Sequence, residues 1–153
     1  MNDEVNLAPD IPVATLTTSL VYEAIVDIGP LEPLGASSLG ERRFVAILGG
    51  RFEGPRLRGK VRAGGADRQM IGVDGVRRLD AHYELETDDG AVITVRNRAL
   101  LEDLPGGGRY ARSFLEFSAP LGPHDWLNRR VFVGTVDGLA PKAQVLIRVY
   151  LVE

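Results

Sequence analysis

Cysteine is absent from this chain of 153 residues, which excludes disulfides, thiolate nucleophiles, zinc ribbons and iron–sulfur clusters together. Histidine is scarce. His82 and His124 are the only two, too few for a histidine-rich metal site. There is no surplus of positive charge either: 18 basic residues stand against 21 acidic ones, a formal net charge of -3. A surface that tracks nucleic-acid phosphates needs a clear basic excess. Lysine is nearly missing, with only Lys60 and Lys142, and the other basic residues are arginine. No stretch approaches the ~18 consecutive apolar residues of a spanning helix. The densest run, Val145 to Val152, is strand length and interrupted by Arg148. The N-terminus carries acids rather than a basic segment followed by an apolar one, so no export signal is read. The expectation is a cytoplasmic protein with no membrane or nucleic-acid partner and no metal or nucleotide cofactor.

What the chain has in quantity is turn-forming residues, with 18 Gly and 9 Pro. Met1 to Pro12 is polar, acidic and proline-containing, and reads as a mobile arm. Beyond it, short apolar segments rich in β-formers alternate with turns, and no segment shows a convincing helical period. Val13 to Ile28 reads as one long strand stopped by Gly29-Pro30, and Leu31 to Glu41 as a loop. Phe44 to Leu48 reads as a strand ending at Gly49-Gly50, with Arg51 to Arg62 extended and broken at Gly54-Pro55. Asp74-Gly75 and Asp88-Asp89-Gly90 are hairpin signals that join Asp67–Val73, Val76–Thr87 and Ala91–Arg98. Leu100 to Arg109 reads as a surface loop, and Tyr110–Ser118, Arg130–Val136 and Ala143–Val152 as the closing strands. Eight to ten strands joined by hairpins imply an all-β domain over residues 13–153. A single closed antiparallel β-barrel is favoured over a sandwich, because closure removes exposed edges and Gly-rich bends supply the corners.

Specific wording then adds a resemblance. Gly49-Gly50-Arg51-Phe52-Glu53-Gly54-Pro55-Arg56-Leu57-Arg58-Gly59 is followed by Gly64-Gly65-Ala66-Asp67 and by Leu79-Asp80-Ala81. Tyr83 precedes Leu85-Glu86-Thr87-Asp88-Asp89-Gly90, then come Val95-Arg96-Asn97-Arg98, Trp126-Leu127-Asn128-Arg129 and Val131-Phe132-Val133-Gly134. In these pieces, from about Val21 to Tyr150, the chain resembles the small bacterial and fungal proteins grouped as domain of unknown function 3237. Arg68-Gln69 departs from the pattern, which usually has an aromatic before the Gln. The resemblance implies a closed, calycin-like antiparallel barrel, commonly a homo-oligomer, and no established common reaction.

The residues that could carry chemistry fall into four groups. The carboxylates Glu53, Asp67 and Glu86 could act as acid or base if a wide barrel interior desolvates them. In Leu79–Thr87, however, Leu79, Ala81, Tyr83 and Leu85 share one face while Asp80, His82, Glu84 and Glu86 share the other, which is equally a solvated polar face. Arg96 and Arg98 could hold a carboxylate or an enolate-like oxygen, or pair with acids on the adjacent strand. Asn97 shares a face with Ala91, Ile93 and Val95, and suits a ligand contact or a structural clasp. Gly64-Gly65 lacks the following helix and Lys-Ser/Thr pair of a phosphate loop, so Asp67 either caps this turn or projects into the barrel mouth. His124 lies in a Pro/Gly loop and reads as exposed. Trp126 is the only Trp and reads as a core plug or a ligand platform, and Tyr83 as a substrate contact.

The function read from these residues is a cofactor-independent enzyme of proton-transfer type. An isomerase, dehydratase or cyclase would act in a barrel pocket on a small apolar or aromatic, carbonyl-bearing molecule. Asp67, Glu53 and Glu86 would be the catalytic groups, with Arg96, Asn97, Arg98, Trp126 and Tyr83 binding substrate. A non-catalytic ligand-binding barrel and an oligomeric structural module are the competing readings, and fold analogy does not choose among them.

Overall fold

The computed structural model describes residues 6–153. Its strands are β1 (Thr18–Ile28), β2 (Glu32–Ser37), β3 (Gly40–Glu53), β4 (Arg58–Val61) and β5 (Gly65–Gly72). These are followed by β6 (Arg77–Thr87), β7 (Val92–Asp103), β8 (Arg109–Ser118), β9 (Phe132–Gly138) and β10 (Gln144–Val152). Among the described residues the sole helical piece is a short 3-10 segment, Asp125–Arg129. Each strand pairs antiparallel with its neighbours in the order β1-β10-β9-β8-β7-β6-β4-β3, and β1 returns to pair with β3. The chain is therefore a closed barrel with eight positions, β4 and β5 sharing the one between β3 and β6.

The expected arm, Met1 to Pro12, lies partly outside the described residues, and residues 6–17 are exposed and form no strand. The first strand thus begins at Thr18, where Thr17 and Glu153 exchange backbone hydrogen bonds.

Two segments expected to be irregular are strands. Leu31–Glu41 contains β2, which lies along the outer part of β3. Its Pro33 needs no ladder donor on an edge strand, and Gly35, at a φ of 96°, absorbs a register shift. Likewise β7 continues through Leu100 to Asp103, so the surface turn shrinks to the glycines after Pro105. The pair Gly49-Gly50 does not end its strand. Both residues have positive φ, and the register of β1 on β3 shifts beside Gly49, so β3 bends into the closure and runs on to Glu53.

Alternation decides what fills the barrel. One end is plugged with large side chains: Tyr22, Phe52, Phe132, Leu85, Ile93 and Leu127 are essentially fully buried. The rings meet edge-on, with Phe117 and Phe132 at 4.9 Å and 84°, and Tyr22 and Phe52 at 5.4 Å and 62°. Such pairs contribute about 0.5–1.5 kcal/mol each beyond the area they bury. Trp126, on the 3-10 segment, closes this end against Phe132 and carries the Arg56 guanidinium 3.9 Å above its ring. His124 corrects an expectation: it is only 7% exposed, because its Nε2 meets both carboxylate oxygens of Asp89 at 3.0–3.1 Å.

Candidate functional site

The other end of the barrel is lined by small residues. Reading across the ladder, Val45, Asp67, Ala81, Asn97 and Leu115 stand in one inward row on β3, β5, β6, β7 and β8. The next row outward is Arg43, Gln69, Leu79, Ala99 and Ser113, followed by Ile71, Arg77, Leu101 and Ala111. Alanines at 81 and 99 and glycine at 138 leave the lumen unfilled. A cavity of about 200 Å³ results, lined by Asp67, Gln69, Arg77, Tyr83, Asn97 and Arg109 among aliphatic side chains. That is many times the ~10–15 Å³ that one water requires.

Asp67 is the acid of this cavity. Its carboxylate accepts hydrogen bonds from Gln69 Nε2 at 2.9 Å and from the backbone N–H of Asp80 at 3.0 Å. Both bonds favour the ionised form, yet burial outweighs them and holds the carboxyl above its ordinary value. Across Ala81, the side chain of Asn97 is 5% exposed, and its Oδ1 has no hydrogen-bond partner. The hydroxyl of Tyr83 is buried beside that of Tyr22 without closing a hydrogen bond of good geometry, and burial pushes its phenol well above the ordinary range, so it stays a neutral O–H. A buried polar atom left unpaired costs about 1–3 kcal/mol. Two of them at one cavity, next to a desolvated carboxyl, form a site chemically able to grip and protonate a small polar group.

Of the eight residues singled out from the sequence, Asp67, Asn97 and Tyr83 meet here. The other five do not. Glu53 and Glu86 point out of the barrel, Glu86 toward Lys60 Nζ at 3.2 Å. Arg96 forks onto Asp80 at 3.0–3.1 Å, and Arg98 pairs with Glu116 at 2.5 Å while stacking on Phe114. Their strand positions have the opposite parity to Asn97, so they lie on the outer face and make ordinary cross-strand pairs. Trp126 belongs to the plugged end. Sequence reasoning missed Gln69, Arg77 and Arg109, although a signal existed: Arg77 shares parity with Leu79 and Ala81, and Arg109 with Ala111 and Leu115. Among the described residues no group of three or more His, Asp and Glu is placed to hold a metal ion, and no helix is long and apolar enough to cross a membrane.

Comparison with known proteins adds four findings. A family model described as protein of unknown function (DUF3237) matches residues 16–152. A UPF0311 protein of Rhodopseudomonas palustris is 34% identical over 134 residues, covering 79% of this chain and 88% of the relative. The crystal structure of a conserved protein of unknown function from the same species superimposes with a TM-score of 0.84 at 32% identity, covering 92% of this chain and all of that one. A fungal relative, the hydroalkoxylation enzyme phnH of Penicillium herquei, is 29% identical over 119 residues, covering 78% of this chain and 73% of its own.

Proposed function

The chain belongs to the DUF3237 family, and on that footing we propose that it is an enzyme that transfers a proton on a small, apolar or aromatic, carbonyl-bearing molecule held in the open half of its barrel. The observation that carries this reading is Asp67, a carboxyl desolvated in a cavity where Asn97 Oδ1 and the Tyr83 hydroxyl are unpaired. A carboxyl whose pKa is raised is a better match for delivering a proton and taking another back than an ordinary one. Asn97 Oδ1 accepts a hydrogen bond from a substrate O–H, and the Tyr83 hydroxyl donates one to a substrate oxygen that gains charge.

Among proton-transfer reactions, ring closure by addition of an O–H across a C=C bond suits this equipment, and the named activity of the fungal relative supports it. The hydroxyl oxygen forms the new C–O bond, the π pair takes a proton to become C–H, and the hydroxyl proton returns to the carboxylate. No oxidant or reductant is consumed. The reaction needs one group that is acid first and base second, which is the role assigned to Asp67.

The test is isotope exchange. Incubation of the protein in D₂O with a panel of aromatic enones and hydroxyalkenes is expected to give protein-dependent deuterium incorporation, read by mass spectrometry. Asp67→Asn is expected to reduce the rate by about 10²-fold or more, the scale of general acid–base catalysis. Exchange that is absent throughout the panel, or that survives Asp67→Asn undiminished, overturns the reading.

A further inference from the structure

The rim of the open end is basic. Arg77 on β6 and Arg109 on β8 both line the cavity, and Arg43 follows on the inward side of β3. The acids at this rim do not balance them. Asp103 is held by Arg109 at 2.8 Å, and Glu41 by Arg43 at 3.5 Å. Arg77 makes no direct ion pair among the described residues and is half-buried, facing the guanidinium groups of Arg109 and Arg43 and one acid, Asp103, which Arg109 already holds. Three guanidinium groups thus share two acids, and a partly dehydrated cation in such a cluster carries a cost that an anion from outside reduces.

We propose that the substrates of this barrel are acids, each with a carboxylate or comparably acidic oxygen that sits at the rim between Arg77 and Arg109 while its apolar body reaches inward to Asp67 and Asn97. The inference deepens the proton-transfer reading and rests on it for the identity of the reacting end. The geometry also sets a length. Arg77 and Ala81 are four residues apart on β6, about 13 Å along a strand at ~3.3 Å per residue. At the usual barrel tilt of about 40° this is roughly 10 Å along the axis. The cavity of about 200 Å³ within that interval is the space for the apolar body, on the scale of a small bicyclic ring system. Burial holds the Asp67 carboxyl above its ordinary value, which lessens the repulsion it offers to an anionic guest. Guanidinium is suited to this task, because its planar fork can take both oxygens of a carboxylate.

Three probes of one skeleton separate the possibilities: naphthalene-2-carboxylate, its neutral carboxamide, and the naphthalen-2-ylmethylammonium cation, titrated calorimetrically into the full chain. The carboxylate is expected to bind at least about tenfold more tightly than the carboxamide, and the cation most weakly. Arg77→Gln should bring the carboxylate down to the level of the carboxamide and leave the carboxamide unchanged. If Arg77→Gln does not fold, by circular dichroism, raising NaCl from 0.1 to 1 M with the wild type gives the same reading: the carboxylate should weaken and the carboxamide should not. Equal binding of carboxylate and carboxamide, a preference for the cation, or a preference untouched by Arg77→Gln overturns the acid inference alone. Failure of all three probes to bind the wild type overturns it together with the lumen site. Loss of exchange activity in Asp67→Asn with the carboxylate preference intact supports both.

Discussion

Asp67 and Asn97 face the lumen at the same level from the two strands that flank Ala81, whose single methyl leaves the space between them open. One is a carboxyl that burial keeps toward its protonated form, and the other is an acceptor with nothing to accept. Neither arrangement helps the fold. Both are what a ligand carrying a hydroxyl would repair.

Asp67 and Asp80 should leave opposite marks on stability against pH. The folded-state pKa of Asp67 lies above its unfolded value near 3.9. Between those values the folded chain holds the extra proton, so stability falls as pH rises through that window. Asp67→Asn, whose side-chain oxygen can keep the bond from the Asp80 N–H, should therefore unfold no earlier than wild type at pH 7 and lose that advantage below about pH 4. Asp80 is held low, chiefly by its hydrogen bonds from Arg96. Its contribution is present above the unfolded value and is lost as pH falls through the folded one, so Asp80→Asn should flatten the acid limb. Urea denaturation of the three proteins from pH 3 to 8 checks both signs. An Asp67→Asn curve that lies below wild type and parallel to it at every pH would refute the assignment.

Asn97→Leu should trade function for stability. It removes the unpaired acceptor and fills part of the cavity, with an expected gain of about 1–2 kcal/mol. The naphthalene carboxylate should no longer bind. If stability instead drops by about 2 kcal/mol or more, as when a buried polar network is broken, Asn97 is a structural clasp.

Glycine matters most where strands meet backbone to backbone. A Cβ built on Gly59 falls onto the carbonyl oxygen of Glu86 in β6, closer than real carbons sit. Gly59→Ala should force β4 from β6 and cost about 4 kcal/mol or more. Gly138→Ala meets nothing within 4 Å and is the control, expected within about 0.5 kcal/mol of wild type. Thermal unfolding of the two variants decides the matter, and equal losses would show that close approach is not the cause.

His124→Ala should cost about 2 kcal/mol, since it removes a buried side chain and one of the two side-chain partners of Asp89, the other being the Thr87 hydroxyl. It should not change probe binding in the folded fraction, because His124 lies at the plugged end. A shift of more than a few-fold in probe affinity would mean that the two ends communicate.

Much of this molecule was legible from local pattern. The Asp-Gly turns placed β5, β6 and β7 side by side, and period-two alternation put Tyr83 and Asn97 on apolar faces, where the lumen is. The same alternation put Glu86, Arg96 and Arg98 on polar faces, and only a lumen wide enough to turn strands inside out would have brought them in. β2 was hidden by its Pro33 and Gly35, which mark loops locally but are tolerated on an edge. His124 read as exposed because its partner, Asp89, is 35 residues away in another hairpin turn. Arg77 was concealed by Arg78. In a tandem pair of arginines one must face inward, and only the register with Leu101 and Ile71 shows which.

The aromatic plug and the alanine-lined half divide the labour of the barrel. The ladder that closes the ring is made of backbone, and side chains stand perpendicular to it. Ala81, Ala99 and Gly138 can therefore change size without breaking a ladder bond, while the rings of Phe132, Phe117 and Tyr22 keep the other end shut. This makes the lumen an adjustable mould set in a fixed frame. A lineage can recast the shape of its guest through three or four positions, and the frame that carries them does not have to be reinvented.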